Sequence, residues 1–335
     1  MSTHVCPVVK IAMQPHPNAD ALSVMEVMGW EVCLRTEEWT NGQLAIYIPE
    51  DYVVPDTELF AWLKSDSKNW ARVRTRKFRG RYSHGIMVPA PEGLNEGDNA
   101  MEILGIERYE PPLPLSAAGD NECAPAGFYP KYDVENYQRH RNTFTAGEEV
   151  CVTEKIHGAN AKFVWILPDP MDKDHGNVWD EGRMYCGSRT NWKAQDEKNL
   201  WWQALAQNPW IMAWCKAHPG LVLYGEVFGQ VQNLKYGSKP GQVMFRAFDI
   251  LDHDHWLDFD EGQVLGNIEW VPLVYRGPFD EEKIMEIALG DSVIPGAKHM
   301  KEGVVVKPVK ERRDPDLGRV QLKIVSPRYL EKAKD

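Results

Sequence analysis

With 335 residues, 43% of them hydrophobic and 26% charged, the chain has the make-up of a globular protein long enough for two domains. No apolar run approaches the roughly 20 residues that span a bilayer, so no membrane partner is expected, and Met1–Val9 lacks the basic and apolar regions of a secretory signal. The six cysteines include no C-x-x-C pair, which argues against a zinc ribbon or disulfide scaffold and suits a reducing cytoplasm or nucleus; the net charge of −11 governs solubility and long-range steering but not what a local patch binds.

Residues 1–110 read as β-rich. Short apolar and β-branched runs at Val5–Met13, Leu22–Leu34, Gln43–Pro49, Ser83–Val88 and Asn99–Ile103 are separated by turn material such as Asn41-Gly42 and Pro91-Glu92-Gly93. Five short strands at that spacing predict an OB-like β-barrel. The segment His16-Pro17-Asn18-Ala19-Asp20-Ala21-Leu22 resembles the opening of tRNA-binding OB modules, although the same residues also make a good turn.

Within this part, Arg72, Arg74, Arg76, Lys77, Arg79 and Arg81 place six cations in ten residues of an otherwise acidic protein. If the run is extended, Arg72, Arg74 and Arg76 share one face at spacings of roughly 6–7 Å, close to the phosphate repeat of a nucleic-acid strand. A solvated, salt-bridged edge strand is the plainer alternative; the position in an OB-like module favours nucleic-acid binding.

Prolines 111, 112, 114, 125 and 130 mark residues 111–130 as an extended connector. From Lys131 to Asp335, strands alternate with helical stretches, the clearest being Trp192–Lys216 with a break at Asn208-Pro209. Core packing accounts for most of the 13 tryptophans. Asp252-His253-Asp254-His255 is too crowded in sequence to converge on a metal and reads as a polar turn.

The chemistry concentrates in apolar strands that carry charge. Thr153-Glu154-Lys155-Ile156-His157-Gly158-Ala159-Asn160 sits between two β-prone segments, with a glycine that would let backbone pass close to a phosphate. Alone, this is no more than a lysine in a hairpin turn. It is joined by Tyr224-Gly225-Glu226, Phe248-Asp249, Glu302-Gly303-Val304-Val305-Val306-Lys307 and Gln321-Leu322-Lys323. A charge in an apolar strand is costly unless it is paired or engaged with a ligand, and five such strands are hard to explain as surface decoration.

In their order these segments resemble motifs I, III, IIIa, IV and V of the covalent nucleotidyltransferases, the ligases and mRNA capping enzymes. T-E-K-I-H-G-x-N is particularly similar to ATP-dependent RNA ligases, where histidine stands at the usual aspartate, and the β-rich first part fits the clade with an OB module ahead of the catalytic domain. The resemblance implies an α+β fold: an N-terminal OB-like β-barrel, then an α+β nucleotidyltransferase (ATP-grasp-like ligase) domain with antiparallel sheets over 131–335. It implies Lys155 as the nucleophile that takes AMP from ATP, Glu154 at the adenine amino group, and His157 and Asn160 near the phosphates or metal. Arg189 would contact ribose and phosphate, Glu226 a ribose hydroxyl or a metal-bound water, and Phe248 would stack on adenine. Glu302, with Glu226, would organise Mg²⁺ or Mn²⁺; Lys307 and Lys323 would neutralise the α-phosphate and lower the pKa of Lys155.

Two departures stand out. Gln321 occupies the first position of the usual motif V K-x-K, and Asp335 follows too soon for the C-terminal OB domain of DNA ligases and capping enzymes. The function expected is a monomeric RNA ligase sealing a 5′-phosphate to a 3′-OH in nicked duplex RNA or an RNA-containing duplex. The alternatives are a GTP-dependent capping guanylyltransferase, a DNA nick ligase, and a non-catalytic RNA- or tRNA-binding protein with a ligase-like fold.

Overall fold

The structure is a computed structural model that describes residues 5–50, 52–63, 72–109, 119–168 and 182–332. It separates into two compact units, one essentially Met1–Pro111 and the other Pro112–Tyr329.

The first unit is built from short antiparallel strands. Strands β1 (Val8–Lys10), β5 (Leu44–Ile48) and β8 (Ile86–Pro89) form one sheet in the order β1-β5-β8. A second sheet holds β2 (Gln14–Pro15), β3 (Leu22–Val27) and β4 (Trp30–Arg35), and β6 (Arg76–Phe78) pairs with β7 (Arg81–Ser83). The run expected as one strand over Leu22–Leu34 is a hairpin. Val27 pairs with Trp30, leaving Met28 and Gly29 at positive φ as a two-residue loop whose twist matches its strands. Asn99–Ile103 forms no strand: Met101–Leu104 closes a single helical turn that ends on Gly105 at positive φ. Alternate residues of these strands (Val8, Ile46, Ile48, Val88) point to one small core, while Met25, Val27, Val32 and Leu34 line another.

The second unit holds two larger sheets. Its strands are β9 (Asn121–Glu122), β10 (Glu135–Asn136), β11 (Glu149–Lys155), β12 (Ala159–Ile166), β13 (Arg183–Ser188), β14 (Trp192–Lys193), β15 (Leu221–Gly229), β16 (Val243–Asp252), β17 (His255–Trp256), β18 (Leu273–Pro278), β19 (Gly303–Pro308) and β20 (Leu322–Val325). The order in the seven-stranded sheet is β9-β14-β13-β12-β15-β16-β17; in the five-stranded sheet it is β10-β20-β19-β11-β18, antiparallel except for β10 beside β20. Of the proposed connector, residues 111–118 lie outside the described residues, and Asn121–Glu122 joins the larger sheet as its edge.

One face of each sheet is apolar and covered by helices. Trp192 and Lys193 are strand rather than helix. Helices α1 (Leu200–Gln207) and α2 (Trp210–Ala217) follow, broken at Asn208-Pro209 as expected, because proline disfavours the helical backbone of the residue before it. Asn199 caps α1 through the amide of Trp201. The pair buries Leu200, Trp201, Ala204, Ile211 and Trp214 against Ala161, Phe163, Leu223 and Phe245. Helix α3 (Glu281–Leu289) does the same for the smaller sheet, laying Ile284 and Ala288 on Val150, Val152, Val304, Val306, Leu322 and Ile324. Each such large aliphatic side chain contributes about 1.5–3 kcal/mol by its burial. Since strand side chains alternate, the residues between these apolar ones face inward, and there the charged groups lie.

Candidate active site

Lys155 ends β11, where the register pairs it with Gly303; Thr153 pairs with Val305, which pairs with Lys323, and Cys151 pairs with Lys307. Directly paired residues share a face, so Lys155, Lys307 and Lys323 stand on the same side of the five-stranded sheet, opposite its apolar core. Lys155 Nζ donates to Glu302 Oε1 at 2.6 Å, and Glu302 Oε2 lies 3.6 Å from His157 Nδ1. Burial pushes the Glu302 carboxyl up, but Lys155 and His157 outweigh it and hold the group down at about 2. For Lys155, burial lowers the pKa, yet Glu302 and Glu226 prevail and raise it above the ordinary lysine value. That direction is opposite to the one expected from neighbouring lysines. Two carboxylates lie closer in effect than Lys307, whose ammonium is paired with Asp249.

The neighbours of Lys155 fix its surroundings. His157 donates its backbone amide to the Tyr236 hydroxyl at 2.7 Å, and its ring lies 3.3 Å from the Tyr329 hydroxyl on α4 (Pro327–Lys332). Gly158 meets a packing requirement: a Cβ there would overlap the Val227 carbonyl and touch Glu226, so glycine admits the close approach of strand β15. Glu154, adjacent to Lys155, points to the other side of β11. It is buried, with Oε2 accepting from the Val293 amide at 2.8 Å and Oε1 without a partner among the described residues.

The facing sheet contributes Asn160, Glu226 and Phe248. Asn160 pairs across the strands with Glu226, and Glu226 with Arg246. Burial is the main cause that pushes the Glu226 carboxyl up to about 8, with Lys155 opposing it. Asn160 Oδ1 and Glu302 Oε2 are buried without hydrogen-bond partners among the described residues. Phe248 stands 4.5 Å from the Tyr132 ring, centroid to centroid. Arg189, half exposed, reaches Asp133 Oδ1 at 3.0 Å.

Four contributors escaped the sequence reading. Asp249, visible beside Phe248 but given no role, is buried and shared between Lys307 on Oδ1 and Arg319 on Oδ2. Burial alone would raise its carboxyl, yet Arg319 and Lys307 hold it below the usual aspartate range. The Tyr132 hydroxyl donates to the same carboxylate and stands 2.8 Å from Gln321 Oε1. Lys162, on the inner face of β12, is 2% exposed with its ammonium 4.6 Å over the Trp192 ring, and burial pushes its pKa down to about 8. Phe248-Asp249 was a legible signal for Asp249; the other three announce themselves only through contacts distant in sequence.

The basic run of the first unit is not one extended strand. Arg76, Lys77 and Phe78 form β6, Arg79 and Gly80 turn at positive φ, and Arg81 begins β7. Arg72 lies 3.9 Å over the Tyr109 ring, away from that hairpin, and Arg74 lies in irregular backbone between them. Arg81 is paired with Glu31, and Lys77 lies 4.8 Å over the Tyr82 ring. Arg76, Lys77, Phe78 and Arg79 are exposed. The His16-Pro17-Asn18 turn braces the hairpin from below: His16 Nε2 is 3.2 Å from the Phe78 carbonyl, and Asn18 Nδ2 donates to the Arg79 carbonyl at 3.0 Å.

Comparison with known proteins agrees with this geometry. Residues 6–90 match an OB-fold domain, so an OB-fold domain precedes the two-sheet unit. Residues 148–325, more than half of the chain, match the RNA ligase family, and the chain belongs to that family. Solved structures of the Naegleria gruberi RNA ligase share the fold from end to end. An apo variant superposes with a TM-score of 0.75 at 23% identity over 99% of both chains. A variant with ATP and Mn gives 0.74 at 24% over 99% of both, and the enzyme with PPi gives 0.72 at 24% over 98% of this chain and 97% of that one. No curated protein matches the chain.

Proposed function

We propose that the protein is an ATP-dependent RNA ligase that carries AMP on Lys155 and seals a 5′-phosphate to a 3′-OH in nicked duplex RNA or an RNA-containing duplex. The observation that carries this reading is Lys155 itself. It is an inward-facing lysine 2.6 Å from Glu302, on one face with Lys307 and Lys323, and it sits across from Glu226 and Asn160.

The first step would join Lys155 Nζ to the α-phosphorus of ATP and break the bond to the β-phosphate oxygen, releasing pyrophosphate. Lys155 must first give up a proton, and the hold of Glu302 keeps that proton on. The AMP then passes to the 5′-phosphate as a phosphoanhydride, restoring Lys155, and a 3′-OH displaces it. Such transfers rest on positioning and positive charge, which Lys307 and Lys323 would supply, with Arg189 at the ribose end. Phe248 offers the stacking surface for adenine, while Glu154, on the other side of β11, keeps one carboxylate oxygen unpartnered among the described residues.

The donor set fits Mg²⁺ or Mn²⁺. Glu302 and Asn160 hold unpartnered oxygens, and among the described residues no group of three or more His, Cys, Asp or Glu forms a dedicated cage. A small hard cation held by one or two carboxylates and substrate phosphates needs no more. Glu302 and Glu226 would hold it, and when bound it supplies positive charge to the phosphates. The reading assigns residues 1–110 to nucleic-acid contact, through the exposed cations of the β6–β7 hairpin, and 131–335 to adenylylation.

The deciding experiment is intact mass after incubation with ATP and Mg²⁺ or Mn²⁺, with GTP in parallel. A gain of about 329 Da mapped to Lys155, absent in Lys155→Ala, is the expected result of phosphoryl transfer to that nitrogen. Labelling by GTP alone would mean a capping-type activity. No labelling of protein shown to be free of AMP beforehand would leave RNA binding as the function.

A further inference from the structure

The family pattern has a lysine where this chain has Gln321, and Gln321 is spent on neutral contacts. It is buried, with Oε1 2.8 Å from the Tyr132 hydroxyl and Nε2 donating to the Asp133 carbonyl at 3.0 Å. The register that pairs Val306 with Leu322 carries Gln321 beside Lys307. Two residues earlier, Arg319 faces the same way, since Val320, Leu322 and Ile324 all enter the opposite apolar core. Its Nη2 lies 3.1 Å from Asp249 Oδ2, its Nε donates to Glu311 Oε2 at 2.8 Å, and its guanidinium carbon stands 4.0 Å over the Trp256 ring. Its Nη1 is buried and has no hydrogen-bond partner among the described residues.

We infer that Arg319 is a positioning residue that takes the electrostatic place of the missing motif V lysine, sharing Asp249 so that Lys307 remains available to a phosphate. Asp249 is the pivot. A buried carboxylate with one cation beside it holds that cation tightly and cancels its charge. With Arg319 on Oδ2 and the Tyr132 hydroxyl on the same oxygen, the pull on Lys307 at Oδ1 is divided. An arginine suits the task better than a lysine, because its planar fork bridges Asp249 and Glu311 at once while its face stacks on Trp256. Position 321 then needs no charge, and glutamine there holds Tyr132 in place.

The inference rests on the ligase reading, and wild-type protein separates the two failures: if it forms no lysyl-AMP, the reading of the site fails whatever Arg319 does. Given wild-type activity, single-turnover lysyl-AMP formation is measured for Arg319→Gln, Gln321→Lys and the double variant. Arg319→Gln should slow the step about tenfold or more, as for loss of a charge-ordering contact. In Arg319→Gln/Gln321→Lys a lysine beside Lys307 can reach Asp249, and the rate should return to within about threefold of wild type. A purely structural arginine would not be replaced by a lysine from another position. Gln321→Lys alone should be no faster than wild type, because Asp249 already serves two cations and Tyr132 loses an acceptor. Wild-type speed in Arg319→Gln, no recovery in a folded double variant, or acceleration by Gln321→Lys would each overturn the inference. Should Arg319→Gln fail to fold, the Gln321→Lys rate decides.

Discussion

Lys155 is held in the form that cannot attack. Its ammonium is tied to Glu302, and the carboxylates around it keep the proton on against the effect of burial. Glu302→Gln should therefore lower the Lys155 pKa, since a nearby full charge is exchanged for a dipole. The measurement is the pH profile of acylation of Lys155 in nucleotide-free protein, and an unmoved midpoint would show that Glu302 does not set it. The same pair has a stability signature. Glu302 is depressed to about 2 in the fold, so its contribution is present above the ordinary glutamate range and is lost as pH falls toward about 2. Lys155 is raised, so its share is full at neutral pH and is lost only as pH climbs through its elevated value. Lys155, Glu226, Glu302 and Lys307 stood out as candidates because each sits in a short run whose apolar flanks make its charge conspicuous. Arg319 and Tyr132 were not, because their meaning lies in contacts such as Tyr132 to Asp249 and Gln321, which are 117 and 189 residues away.

Strands were read best where a short apolar run was bounded by turn residues, as over Leu44–Ile48 between Asn41-Gly42 and Pro49, and worst where a turn residue was ambiguous. Met28-Gly29 makes a tight loop that a search for Asn-Gly or Asp-Gly overlooks, and the short apolar run at 99–103 closes a helical turn. The β6–β7 hairpin shows what a weak motif can do once folded. His16 bonds at one ring nitrogen to the Phe78 carbonyl and at the other, 3.0 Å away, to the Asn18 amide, while Asn18 holds the Arg79 carbonyl. These bonds brace a loop whose Arg79 adopts the left-handed backbone that arginine ordinarily avoids. His16→Ala removes two hydrogen bonds and should weaken binding of a nicked RNA duplex about threefold to tenfold, leaving self-adenylylation intact. Titration of the labelled duplex against both proteins checks it; equal affinities would mean that the hairpin needs no brace or binds no RNA.

The whole chain is acidic, with a net charge of −11, yet the proposed function calls for an anionic polymer as substrate. Global charge and local contact act over different distances: beyond a Debye length of about 10 Å at 0.1 M salt, the excess acid is screened, while cations touching phosphates are not. Binding should therefore rest on few phosphate contacts, and its dependence on salt should report those alone. Arg76 and Arg79 stand exposed on the hairpin. If each neutralises one phosphate, the double variant Arg76→Ala/Arg79→Ala reduces the steepness of log affinity against log salt by about 2. The proposed lysyl-AMP step involves no polynucleotide and should proceed at the wild-type rate. An unchanged slope would move the nucleic-acid contact away from this hairpin and toward other cations of the chain. Loss of adenylylation along with binding would show instead that these arginines act on the catalytic unit.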